Sequence, residues 1–174
     1  GAFLCRLRCA ELGIFTPGPE SSAGTNQVVE AITSDMVKEL VKERSVVNHF
    51  IAELRDIEVQ KDPMRFRRNL ARIGEVMAVE ISRTMDYSES EVTTPLGVAR
   101  AELMAEQPVL ATILRAGLAM HQGFMNYFDR ADSACVRAYR KHRKGEDAFD
   151  IEVEYLSSPS LDGRVVVLCD PMLA

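Results

Sequence analysis

The run Val165 Val166 Val167 Leu168 Cys169 Asp170 Pro171 constrains this 174-residue chain more than any other stretch. Consecutive apolar and β-branched residues suit a short strand buried on both faces, the kind found inside parallel sheets. Pro171 cannot donate to a strand ladder, so the strand has to stop at Asp170 and the chain has to turn there. A carboxylate is thereby set at the carboxyl end of a buried strand, which is where open α/β sheets bind ligands.

A chain of this length can bury one sizeable core, and 47% hydrophobic with 27% charged residues is ordinary for a soluble globular protein. The net charge of -5 argues against nucleic-acid binding through bulk electrostatics. Apolar runs fall short of the roughly 20 residues a membrane helix needs. Arg6, Arg8 and Glu11 spoil the opening stretch as a signal-peptide core. The four cysteines, Cys5, Cys9, Cys135 and Cys169, lack C-x-x-C spacing. Buried free thiols in a reducing, cytoplasmic setting are favoured over zinc ligands or disulfides.

Residues 16–24, rich in Pro, Gly and Ser, read as a linker. Residues 1–35 are therefore expected to be a leader and linker outside the fold, with the domain in 36–174 and Met36 placed as a native start. Residues 36–44 suit either a short amphipathic helix capped by Ser34 or Asp35 or a mobile arm. Asp62 followed by Pro63 is an N-cap with proline at the first helical position. Behind it Phe66, Leu70, Ile73, Met77 and Ile81 recur every three or four residues, which predicts a helix to about Arg83 or Met85. Arg65, Arg67, Arg68 and Arg72 lie off that stripe, and a solvated face or subunit contact is favoured for them over a phosphate or RNA patch. Thr93 Thr94 Pro95 Leu96 Gly97 reads as a turn between extended pieces.

Val109 to Leu114 is a second apolar strand, running into Arg115 Ala116 Gly117 and then into helical apolar spacing through Leu118, Met120, Phe124 and Phe128. At such a strand-to-helix turn the free N–H groups and the helix dipole favour an anion, and the arginine adds a planar fork for phosphate oxygens. Ala134 to Tyr139 is a third strand and ends in Arg140 Lys141 His142 Arg143 Lys144, cations that suit either a polyphosphate ligand or an exposed flexible loop. Residues 149–156 alternate apolar and acidic side chains, as in a half-exposed edge or antiparallel strand. The strand ends thus offer Arg115, Arg140 and Asp170 to one face of a sheet, a combination suited to a phosphorylated sugar.

Leu114 Arg115 Ala116 Gly117 Leu118, then Ala138 Tyr139 Arg140, then Cys169 Asp170 Pro171 Met172 Leu173 Ala174 resemble, in order, motifs of the uracil phosphoribosyltransferase family. Arg65 Phe66 Arg67 and Thr93 to Gly97 are similar to that family as well. The resemblance covers roughly residues 46–174. It implies an α/β fold of the type I phosphoribosyltransferase kind, a mostly parallel sheet flanked by helices, with its C-terminal part missing. It also implies pyrimidine salvage, the conversion of uracil and 5-phosphoribosyl 1-diphosphate (PRPP) to UMP and diphosphate, with Mg2+ bound mainly through PRPP. By position, Arg115 and Asp170 would be the catalytic pair. Arg115 and Arg140 would hold the diphosphate of PRPP, Asp170 would sit by the ribose hydroxyls, Met172, Leu173 and Ala174 would begin the 5′-phosphate loop, and Ala116, Gly117 and Pro171 would be further PRPP-binding positions.

The resemblance further implies a homo-oligomer and GTP as an allosteric activator. The Thr-Gly-Gly-Ser type continuation of the phosphate loop and the uracil-recognition segment of the family have no counterpart here, so the chain is expected to be an incomplete enzyme with little activity. His121 and His142, the titratable groups near these motifs, are expected to serve packing or to face solvent. Two alternatives stay open: a regulator of the same fold that binds nucleotides and RNA, and a phosphoribosyltransferase for another base.

Overall fold

A computed structural model describes residues 2–8, 11–15, 37–142 and 149–171, with side chains described for 38–137 and 156–171. The strands are β1 (Ala2–Arg8), β2 (Glu11–Phe15), β3 (Val37–Glu39), β4 (Tyr87–Thr94), β5 (Gly97–Met104), β6 (Val109–Ile113), β7 (Asp132–His142), β8 (Phe149–Ser157) and β9 (Val166–Asp170); the helices are α1 (Val47–Arg55), α2 (Pro63–Ser82) and α3 (Leu118–Met125). The main sheet has the order β3-β2-β1-β9-β6-β7-β8. Its centre, β1, β9, β6 and β7, is parallel, and its margins are antiparallel.

The parallel centre is where the apolar runs of the sequence lie, because only strands covered on both faces can be apolar throughout. Val109 and Leu110 of β6 and Val167 and Cys169 of β9 are fully buried. One face of these strands joins α2 and α3 in the main core, with Leu110, Val167 and Cys169 packed among Ile73, Met77, Met120 and Phe124. Val109, Ala111 and Ala134 form a second cluster on the other face.

α2 begins where the sequence predicts. The Asp62 carboxylate accepts from the Met64 and Arg65 amides at 2.9 and 3.2 Å, and Pro63 occupies the first turn, where its missing N–H costs nothing. Ile73, Met77 and Ile81 are fully buried, each such burial contributing about 2 kcal/mol. Three of the four arginines off that stripe are tied to the fold: Arg65 pairs with Glu53 at 3.3 Å, Arg68 with Glu75 at 3.6 Å, and Arg72 donates to Asn69 at 3.3 Å while lying over the Phe50 ring, whereas Arg67 is exposed. These contacts favour the structural reading of that face over an RNA patch.

Two parts of the chain differ from the sequence reading. Residues 36–44 were expected as a helix or an arm, but Val37–Glu39 pairs with β2 and a 3-10 turn follows at Leu40–Lys42. The reason is that Leu40 sinks into the core, where a strand and tight turn can deliver it. Residues 2–8 and 11–15 add β1, parallel to β9, and β2, antiparallel to β1. β7 does not stop at Tyr139 but runs to His142, so Arg140, Lys141 and His142 stand in a strand, while residues 143–148 lie outside the described residues. Two further expectations hold. β8 is antiparallel to β7 at the sheet margin, and the 93–97 segment turns a hairpin between β4 and β5, with Gly97 at φ 133 and Leu96 fully exposed.

Candidate functional site

The carboxyl ends of β9 and β6 lie side by side, because the two strands are parallel neighbours, and β7 runs parallel to β6 on its other side and continues past it. β9 delivers Asp170 as its last residue, only 4% exposed, and Pro171 is buried directly after it. β6 ends at Ile113, and the ladder to β7 continues one step further through Leu114 N–H donating to the Val136 carbonyl at 2.8 Å. The chain then turns through Arg115, Ala116 and Gly117, with a cis peptide between Leu114 and Arg115. The Gly117 amide donates back to Ile113 at 3.0 Å and the Leu118 amide to Arg115 at 3.2 Å, which closes the turn and starts α3.

Arg115 and Ala116 are exposed on this turn. The Arg115 side chain has no ion-pair or hydrogen-bond partner among the described residues, in contrast to Arg65 and Arg68 of α2. Gly117 is buried, and the position admits no side chain: a Cβ there would lie 2.1 Å from Thr112 Oγ1 and 2.6 Å from the Cys169 carbonyl. Thr112 Oγ1 donates to that carbonyl at 3.3 Å. Thr112 is a site residue the sequence reading passes over, since a threonine inside Val-Leu-Ala-Thr-Ile reads as strand filler. Its signal was a polar residue in a fully buried run, which needs a partner.

The structure therefore brings Arg115, Ala116, Gly117, Asp170 and Pro171 to one edge, on adjacent strands about 4.8 Å apart. Arg140 lies further out. The last β6–β7 pair is Ile113 with Val136, and Arg140 stands beyond it in the ribbon with β8, opposite Ile151. That is roughly 13 Å further along the strand. Its side chain, that of His142, and Met172, Leu173 and Ala174 lie outside the described side chains.

His121, one helical turn after Gly117, is buried. Burial pushes its pKa down, partly offset by a hydrogen bond with the Leu110 backbone, and Nε2 has no partner among the described residues. It packs as a neutral ring under the turn. At the opposite ends of the strands, Arg164 pairs with Asp132 and donates to the Gln107 carbonyl at 3.4 Å, clamping β9 to β7 away from the site. Neither Cys135 nor Cys169 is in a disulfide. Among the described residues no helix is long and apolar enough to cross a membrane.

An open sheet with a parallel centre, a strand-to-helix turn carrying an exposed arginine and a carboxylate closing the adjacent strand define a class, the α/β proteins built on a mostly parallel sheet flanked by helices. The uracil phosphoribosyltransferase family model matches residues 41–174. The chain is 52% identical over 132 residues to a uracil phosphoribosyltransferase of Porphyromonas gingivalis, covering 76% of this chain and 61% of the relative. It is 38% identical over 115 residues to one of Methanothermobacter thermautotrophicus, covering 65% and 52%. Among solved structures, the AQ2163 protein from Aquifex aeolicus superposes with a TM-score of 0.64 at 26% identity, over 76% of this chain and 61% of that one. The chain belongs to the uracil phosphoribosyltransferase family. It spans about 61% of the length of the Porphyromonas gingivalis relative.

Proposed function

We propose that the carboxyl edge of this sheet is the PRPP site of a uracil phosphoribosyltransferase, which forms UMP and diphosphate from uracil and PRPP. The observation that carries the reading is the exposed Arg115 on the turn after β6, its side chain without a partner among the described residues, one strand from the buried carboxylate of Asp170. Family membership supports the choice of reaction and of base.

Breaking the C1–O bond of PRPP builds positive charge on the ribose and negative charge on the departing diphosphate. A cation fixed at the diphosphate end stabilises the transition state more than the ground state. Arg115 has that role, on a turn lined by Ala116 and Gly117, and Arg140 adds a second cation from β7. Asp170 accepts from the ribose hydroxyls, Pro171 closes the strand beside it, and Met172, Leu173 and Ala174 begin the 5′-phosphate loop. Neither a protein nucleophile nor a general acid is needed, which agrees with the packed, neutral His121. Mg2+ would supply charge neutralisation on the diphosphate. Among the described residues no three His, Cys, Asp or Glu gather, and a single carboxylate at Asp170 suits an ion held mainly by phosphate oxygens and water. The same reading carries a cytoplasmic homo-oligomer with GTP as an allosteric activator.

Calorimetric titration with PRPP and Mg2+ tests the site, and conversion of labelled uracil to UMP tests the reaction. Saturable PRPP binding is expected, weakened at least about tenfold by Arg115→Ala or Asp170→Asn through loss of a charge-assisted contact. A wild-type chain that binds no PRPP would overturn the reading.

A further inference from the structure

Thr112 is a fully buried polar residue in a strand of apolar neighbours. It stands in register with Cys169 of β9 on one side and Cys135 of β7 on the other. Valine has nearly the same shape and an equal liking for strands, so neither the strand nor the core requires the hydroxyl. A buried hydroxyl without a partner is costly, and this one is satisfied by the Cys169 carbonyl at 3.3 Å. That carbonyl belongs to the peptide whose nitrogen is that of Asp170, so the bond fixes the plane from which the Asp170 side chain departs.

The other side of the same bond touches the Arg115 turn. Gly117, which ends the turn, sits so close that a Cβ would meet Thr112 Oγ1 at 2.1 Å and the Cys169 carbonyl at 2.6 Å. One hydroxyl thus contacts the last residue of the anion-binding turn and the peptide preceding the carboxylate. We infer that Thr112 is a positioning residue, whose hydroxyl sets the spacing between the Arg115 turn and Asp170; this rests on the proposed PRPP site. Errors of about 1 Å in such spacings cost up to roughly a hundredfold in activity.

Ligand length distinguishes positioning from simple packing. PRPP reaches both the turn and Asp170, whereas diphosphate reaches the turn alone. In Thr112→Val, PRPP binding should weaken about tenfold while diphosphate binding changes less than about twofold. Thr112→Ser, which restores the hydroxyl, should recover PRPP binding to within about threefold of wild type. Equal losses for both ligands, or no loss for either, would overturn the inference. If the wild-type chain binds neither ligand, the proposed function fails and amide exchange decides on Thr112. Faster exchange of the Gly117 and Leu118 amides in the valine variant, reversed in the serine variant, supports the positioning role; unchanged exchange rejects it.

Discussion

Gly123 of α3 lies against the backbone of Ala71 in α2 so closely that a Cβ on Gly123 would fall 2.0 Å from the Ala71 carbonyl oxygen. Gly74 does the same in reverse, with a Cβ 2.4 Å from the Met120 carbonyl. The obstacle in each case is backbone, which cannot rotate away, so Gly123→Ala has to push the helices apart and disturb Ile73, Met77 and Phe124 between them and the sheet. The expected loss is about 2 kcal/mol, or a melting point lower by about 6 °C. Thermal unfolding followed by circular dichroism checks it, and an unchanged midpoint would mean that the helices do not cross this tightly.

Glu53 joins α1 to α2 through Asn69, whose side-chain amide donates to it at 2.6 Å, and through Arg65. The Asn69 hydrogen bond is the main reason its pKa lies below the ordinary glutamate value; partial desolvation opposes the shift, and Arg65 and Arg72 add to it. The unfolded chain takes up this proton at a higher pH than the folded one does. The contribution is therefore present above the ordinary glutamate range and lost as the pH falls through the lowered folded value. Urea unfolding measured from about pH 6 to pH 3 should show an acid limb that is shallower in Glu53→Gln than in the wild type. Identical limbs would show that the carboxylate is not held.

How much of this was legible in the sequence depended on how local each signal was. α2 could be read because Asp62, Pro63 and the stripe from Leu70 to Ile81 are all within one element. β6 and β9 were visible as apolar runs, and with them Arg115 and Asp170 as strand-end groups. α1 was not, since it buries only Val47 and Ile51 and starts at Val46 without a side-chain cap. Residues 36–44 have helical spacing, yet pairing with β2 and burial of Leu40 decide their form, and neither is encoded locally. Thr112 and Gly117 depend on a contact with Cys169 of β9, which lies more than 50 residues further along the chain.

The buried His121 gives a second pH dependence. Its folded pKa is depressed, chiefly by burial, so the unfolded chain is protonated first as the pH falls. Stability should be level above the ordinary histidine pKa of about 6.5 and decline below it, until the folded pKa is reached. His121→Leu removes both the titration and the buried Nε2 that lacks a partner among the described residues. Its unfolding free energy should then be flat between about pH 7 and pH 5.5, above the range where Glu53 titrates. A wild-type chain that is equally flat there would show that His121 titrates normally.

The last prediction concerns β9, the strand that carries Asp170. One edge of β9 pairs with β6 and the other with β1, in parallel register from Ala2 opposite Val166 to Arg6 opposite Asp170. A strand stripped of one neighbour exposes a row of unsatisfied N–H and C=O groups and offers a template to other chains. Deleting residues 1–35 should therefore raise amide exchange in β9 and promote concentration-dependent association. If residues 1–35 stand apart as leader and linker, as their composition suggests, deletion should leave the β9 amides unchanged and the protein monodisperse. Exchange mass spectrometry with light scattering distinguishes the two, because only a strand built into the sheet can protect its neighbour.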